Sequence, residues 1–277
     1  MAFRRLLRGQ IDQERLESVA DEVRRRYDGA DADGGAAGEG GEQRIVYLDA
    51  NNWLSAPFVV DDRYFVKAIS RQHTAVHALL TAGRNLGAFS SGSEGFFQRF
   101  ETPVEMARHE YDATEKMVDI GVRVPEPIEA FEHDGLGVLV MEYLPEFETL
   151  DAVDSATVRE QAPALFASLQ SMHAAGFAHG DLRSENVLVS GGDLYFIDAT
   201  NVDDAALADA RAYDIACGLA VLEPLIGARD AVAAAASAYG PDDLIAAEDF
   251  LDFVNVRPDH QFDSVAVKGE LGKAART

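Results

Sequence analysis

The stretch His179-Gly180-Asp181-Leu182-Arg183-Ser184-Glu185-Asn186, with Leu194-Tyr195-Phe196-Ile197-Asp198 after it, constrains this chain more than any other. Asp181 and Asn186 stand five apart on a loop, and Asp198 follows Asn186 by twelve, at the end of an apolar run. The short apolar runs Val187–Val189 and Leu194–Ile197, separated by Gly191-Gly192, predict a hairpin. Such a hairpin returns Asp198 to the neighbourhood of Asn186, so that two carboxylates and an amide oxygen gather at one point. Hard oxygen donors suit Mg²⁺ or Mn²⁺, and magnesium takes one or two protein carboxylates while phosphate and water fill its other positions. That is the requirement of phosphoryl transfer. A single Asp or Asn on a loop is ordinarily a turn former or helix cap. The set, flanked by two strands, carries the reading.

The chain around this segment reads as α+β and bilobal, with a sheet-rich first half, a helical second half and a cleft between them. Leu16, Val19, Val23 and Tyr27 recur at helical spacing and predict an amphipathic helix within residues 1–27. Residues 28–42 are Gly-rich and acidic, the composition of a solvated linker. An N-lobe follows over 43–144, a C-lobe over 145–256, and a tail without period over 257–277. Strands are expected at Arg44–Leu48, Pro57–Val60 and Arg63–Ile69, the last carrying Lys67. A helix opens at Thr102 or Pro103 and ends at Gly121, and Pro125 and Pro127 stop its continuation. Gly137–Tyr143 is a continuous apolar run, the mark of a buried strand. Helical patterns fill 155–175, 205–226, 229–239 and 242–253.

Of 277 residues, 47% are hydrophobic, enough for a large core, and Cys217 is the one cysteine, which excludes an internal disulfide and a cysteine-built metal site. No apolar run is long enough to span a bilayer, and with the single cysteine this fits a reducing cytoplasm. The formal net charge of −24 argues against broad nucleic-acid binding, which needs a basic face. So acidic a surface repels itself unless salt screens it, which points to the concentrated cytosol of a halophile; the unfolding midpoint should then rise from low to molar salt.

The segment 179–198 resembles the catalytic and metal loops of the protein-kinase-like superfamily, above all the RIO family of atypical kinases, with related small archaeal kinases next. Three further stretches agree: Tyr64-Phe65-Val66-Lys67-Ala68-Ile69; the run from His109-Glu110-Tyr111 to Gly121-Val122-Arg123-Val124-Pro125-Glu126-Pro127-Ile128; and Val138-Leu139-Val140-Met141-Glu142-Tyr143. The likeness runs from about residue 57 to about 220. It implies an ATP- and metal-dependent serine/threonine kinase or ATPase. In those terms Lys67 holds the α and β phosphates and Glu110 pairs with it. Met141, Glu142 and Tyr143 meet adenine, with Ser55 beside the nucleotide. Asp181 directs the nucleophile, and Asn186 and Asp198 hold the metal. Arg183 either neutralises the γ-phosphate or makes a surface salt bridge. Glu105 and Glu115 share the helix with Glu110, and register relative to Gly121 favours Glu110. His179 braces the loop. Asp214 either hydrogen-bonds the catalytic-loop backbone, as in kinases, or caps a helix.

The chain also departs from the family. No glycine-rich loop joins the first two strands, which are linked by Asp49–Ala56 with Trp53, the sole tryptophan. Asp214 follows Asp198 by only sixteen residues, leaving no room for a peptide-docking platform. The insertion over 70–104 holds Ser90, Ser91 and Ser93, candidate autophosphorylation sites in what is otherwise a surface loop. Two other readings stay open: a small-molecule phosphotransferase of the aminoglycoside or choline kinase type, and a non-catalytic nucleotide-binding pseudokinase scaffold. The partner implied is a protein substrate or a ribosome-assembly component.

Overall fold

The computed structural model describes residues 11–27, 44–48, 55–74, 100–199, 207–257 and 260–274. The expected linker over 28–42, residues 49–54 of the expected Asp49–Ala56 turn with Trp53 among them, and Ser90, Ser91 and Ser93 of the insertion lie outside the described residues. Two compact units are distinguished, one built from residues 1–80, 99–112 and 125–145, the other from 81–98, 113–124 and 146–277.

In the first unit five antiparallel strands form one sheet in the order β1-β2-β3-β5-β4. They are β1 (Ile45–Tyr47), β2 (Ala56–Val60), β3 (Tyr64–Ile69), β4 (Pro127–His133) and β5 (Leu136–Glu142). The two central strands, β3 and β5, are apolar on both faces, and the alternation of side chains sorts them. Tyr64, Val66 and Ala68 of β3 join Leu136, Val138 and Val140 of β5 on one face. Helix α1 (Gln13–Tyr27) covers that face with Leu16, Val19, Ala20 and Val23. The N-terminal helix is thus a layer of the sheet's own core. Its Arg24 clamps the β2–β3 turn: Nε and Nη2 donate to Asp61 at 2.8 and 3.0 Å, and the Arg44 amide donates to the same carboxylate at 2.7 Å.

Ile69, Leu139 and Met141 point to the opposite face and pack with Met106 and Ala107 of helix α2 (Pro103–Asp119). Thr102 and Glu105 cap α2 reciprocally: the Glu105 amide donates to Thr102 Oγ1 and the Thr102 amide to Glu105 Oε2, each at 3.2 Å. Gly137 makes the close approach of α2 to β5 feasible, since a Cβ there would lie 2.1 Å from the Pro103 carbonyl oxygen. Strand β4 is absent from the sequence expectation. It starts at Pro127, lies at the sheet edge where a missing amide costs little, and buries only Phe131, so no apolar period marks it.

The second unit is mainly helical: α3 (Ser155–Ala174), α4 (Leu207–Ile226), α5 (Ala228–Ala236), α6 (Pro241–Asn255) and α7 (Ser264–Ala274). Helix α4 is its axis, with twelve consecutive residues from Ala212 to Glu223 interrupted in burial only at the last, and Cys217 among them. Burial pushes the Cys217 thiol up to about 12, so it serves as a packing group. A small sheet of β6 (Glu148–Thr149), β7 (Val187–Ser190) and β8 (Asp193–Phe196) completes the unit. Helix α7 corrects the expectation of a featureless tail: only Val267 and Leu271 are buried in it while Val265 is 79% exposed, too sparse a pattern to read as a period. Among the described residues no helix is long and apolar enough to cross a membrane.

Candidate phosphotransfer site

Lys67 occupies β3 on the same face as Phe65 and Ile69, the face that α2 covers. Glu110 lies three and four residues beyond Ala107 and Met106, on the stripe of α2 that packs on the sheet. The two side chains meet in an ion pair between Lys67 Nζ and Glu110 Oε1, with side-chain exposures of 4% and 16%. Glu105 is used in the cap and Glu115 is exposed, which resolves the choice among the three glutamates. A buried ammonium is costly without a countercharge, and Glu110 supplies it. Also in the first unit, Ser55 and Met141 are buried, Tyr143 is half-buried and Glu142 is exposed. The Tyr143 amide donates to the Arg63 carbonyl at 2.9 Å, fixing the chain as it leaves β5.

In the second unit the predicted hairpin is present, with Val187 opposite Phe196 and Ser190 opposite Asp193. The ladder continues one step further, the Ile197 amide donating to the Asn186 carbonyl at 3.0 Å. Asp198 is therefore the next residue after a direct link to Asn186. Its backbone is left-handed at φ +61°, a conformation that carries strain in an L-residue and is common where a side chain must be aimed. Asn186, 2% exposed, donates from Nδ2 to the Asp181 carbonyl at 2.8 Å, which turns its amide oxygen away from that carbonyl. Asp181 is 4% exposed, and its side chain is bracketed by two guanidinium groups: Arg257 Nη2 lies 2.9 Å from Oδ1 and Arg183 Nη2 lies 3.3 Å from Oδ2. Arg183 also reaches Glu185 at 3.5 Å.

Asp214 sits well inside α4 and so is not a helix N-cap. It is fully buried and accepts from the His179 amide at 2.6 Å, the Gly180 amide at 2.8 Å and His173 Nε2 at 3.1 Å. Gly180, at φ +78°, takes the turn that lets both neighbouring amides face one carboxylate. His173 is held in turn by the Tyr239 hydroxyl, 2.8 Å from Nδ1. His179 is wholly buried, and its Nδ1 accepts from the Asp181 amide at 3.4 Å. Burial depresses its pKa, opposed by the charges of Asp214, Asp181 and Asp198 around it, so the ring is a neutral brace.

An oxygen donor set of Asn186 and Asp198 fits a hard divalent cation, and it is too small to hold one without phosphate or water. No cluster of three or more His, Cys, Asp or Glu side chains able to hold a metal occurs among the described residues. A metal here would depend on a bound nucleotide. Sequence reading missed Arg257, Tyr213 and His173: Arg257 meets Asp181 across 76 residues, Tyr213 meets Arg257 across 44 and His173 meets Asp214 across 41, and none belongs to a local pattern.

Residues 92–212 match the RIO domain family model. No curated protein matches the chain. Among solved structures, the crystal structure of aminoglycoside-3'-phosphotransferase of type VIII is similar at a TM-score of 0.51 and 15% identity, over 87% of this chain and 99% of that one. The Drosophila melanogaster PAN3 pseudokinase is similar at a TM-score of 0.41 and 15% identity, over 86% of this chain and 68% of that one. The fold is protein-kinase-like.

Proposed function

We propose, starting from the RIO domain carried by residues 92–212, that this chain is an ATP- and divalent-metal-dependent phosphotransferase, a RIO-like serine/threonine kinase or ATPase acting in the cytoplasm. The observation that carries the reading is the loop 179–198, folded back on itself by the Ile197–Asn186 hydrogen bond with Asp181 buried in its bend. Lys67, oriented by Glu110, would bind the α and β phosphates of ATP. Met141, Glu142 and Tyr143 would meet the adenine, and Ser55 would lie beside the nucleotide. Asn186 and Asp198 would hold Mg²⁺ or Mn²⁺, which when bound neutralises phosphate charge. Asp181 would orient the acceptor hydroxyl and take its proton, and Arg183 would balance charge at the transferred group. Positioning and fixed charge account for most of the rate in such chemistry.

The acceptor is a serine or threonine hydroxyl or water. The sixteen-residue step from Asp198 to Asp214 excludes a long peptide-docking platform, which favours a small-molecule alcohol as the second reading. The test uses the purified full chain with labelled ATP and Mg²⁺, offered water, proteins, sugars and aminoglycosides. Label transferred to protein or released as phosphate supports the first reading, and label on a small alcohol supports the second. Asp181→Ala and Asp198→Ala should each lower turnover by roughly 10³-fold or more. ATP binding without any turnover by the wild-type chain would refute both readings and leave a nucleotide-binding scaffold.

A further inference from the structure

Arg257 lies 45 residues beyond the end of the RIO match, in the chain that leaves α6, yet its guanidinium ends at the catalytic loop. Its side chain is 8% exposed. Nη2 donates to Asp181 Oδ1 at 2.9 Å, and Nη1 donates to the Tyr213 hydroxyl. Tyr213 is wholly buried, immediately precedes Asp214, and packs its ring against Phe250 and Phe253 of α6 at 6.1 and 5.8 Å between centroids. The guanidinium carbon lies 5.9 Å from the Tyr213 ring centroid. The fork is planar and rigid, so a nitrogen fixed on Tyr213 leaves the other with one direction in which to point.

Net stability does not explain this pair. Burying a cation and a carboxylate costs several kcal/mol per ion, and their attraction only about repays it. Orientation does explain it. The terminal torsion of an aspartate is broad, so an unheld carboxylate samples many settings. Arg257 takes Oδ1 and thereby sets where Oδ2 lies, on the side of Arg183. We propose that Arg257 is a positioning residue: it fixes the rotation of the Asp181 carboxylate so that Oδ2 is the oxygen presented to the acceptor. The proposal rests on the phosphotransferase reading above, and it makes the segment after α6 a working part of the site.

The test uses the full chain with ATP and Mg²⁺. Arg257→Ala should lose about 10²-fold in kcat with KM for ATP changed less than about twofold, the cost of a misaimed group with nucleotide binding intact. Guanidinium chloride at low concentration should restore part of that turnover, whereas equal sodium chloride should not. Arg257→Lys keeps the charge without the fork, so it should stay low and gain nothing from guanidinium; it also serves if the alanine variant fails to fold. Wild-type kcat in either folded variant overturns the proposal, as does a loss confined to KM. If the wild-type chain itself shows no turnover, the phosphotransferase reading fails. The pair is then judged by thermal unfolding of Asp181→Asn, Arg257→Ala and the double variant. Strictly additive midpoint shifts overturn it, and a double variant less damaged than the sum supports it.

Discussion

Lys67 meets Glu110 across regular secondary structure, whereas the Asp181 segment is held by contacts from three separated stretches of chain: its own loop, α4 and the residues beyond α6. In the first unit the alternation of β3 points the lysine at α2, and the helical period of α2 places Glu110 opposite it. In the second unit Asp214 grips the backbone before Asp181, Asn186 holds its carbonyl, and Arg257 and Arg183 bracket its carboxylate. The difference separates two design problems. On the proposed reading, a lysine that would contact phosphate needs a countercharge and a direction, which a strand and a helix supply. A carboxylate that would meet a reacting hydroxyl needs its backbone and its rotamer fixed together, and an irregular loop does this only with support from elsewhere in the fold.

This contrast can be broken experimentally. The largest stability effect should come from Asp214→Ala, which strips the His179 and Gly180 amides and His173 of their acceptor. Each buried donor left unsatisfied costs about 1–3 kcal/mol, against a total stability of about 5–15 kcal/mol. The thermal midpoint should fall steeply and turnover should fall with it, as read by circular dichroism and ATP hydrolysis on one preparation. Lys67→Met should behave otherwise: it leaves the largely buried Glu110 carboxylate without its countercharge, so the midpoint falls, but by less than for Asp214→Ala, while turnover drops about 10²-fold or more. A midpoint loss for Lys67→Met equal to that of Asp214→Ala would erase the distinction between the two sites.

The smallest effect lies away from both, at the clamp of α1. The Arg24 guanidinium holds the Asp61 carboxyl below its ordinary value of 3.8. A carboxyl with a lowered folded pKa contributes stability above its unfolded pKa and loses it as pH falls through the folded one. Asp61→Asn should therefore lower the midpoint by a few degrees at pH 7, and the gap to wild type should close below about pH 4. A gap that is constant from pH 7 to pH 3 would show that the clamp acts by hydrogen bonding alone.

What the sequence made legible follows the same division. Regular periods announced β3, β5, α2 and the 187–196 hairpin, and with the hairpin the return of Asp198 toward Asn186; Lys67 and Glu110 were singled out by the resemblance to the RIO family. Strand β4 stayed hidden because its edge position leaves most of its side chains half-exposed, and α7 because two buried residues make no pattern. The role of Asp214 stood between a cap and a backbone acceptor until α4 was seen to begin at Leu207, a full seven residues earlier. Arg257 was invisible: an arginine where a helix gives way to a proline reads as a solvated helix end, and only its contacts with Asp181 and Tyr213 distinguish it.

On the proposed reading, residues 179–198 would present a cation site beneath a triphosphate. A crystal structure of the full chain with a non-hydrolysable ATP analogue and Mn²⁺, located by its anomalous scattering, tests it directly. The ion should be bound by the Asn186 amide oxygen and the Asp198 carboxylate together with phosphate oxygens, with Lys67 on the same nucleotide. Manganese held by other side chains, or a nucleotide seated away from this loop, would contradict the account.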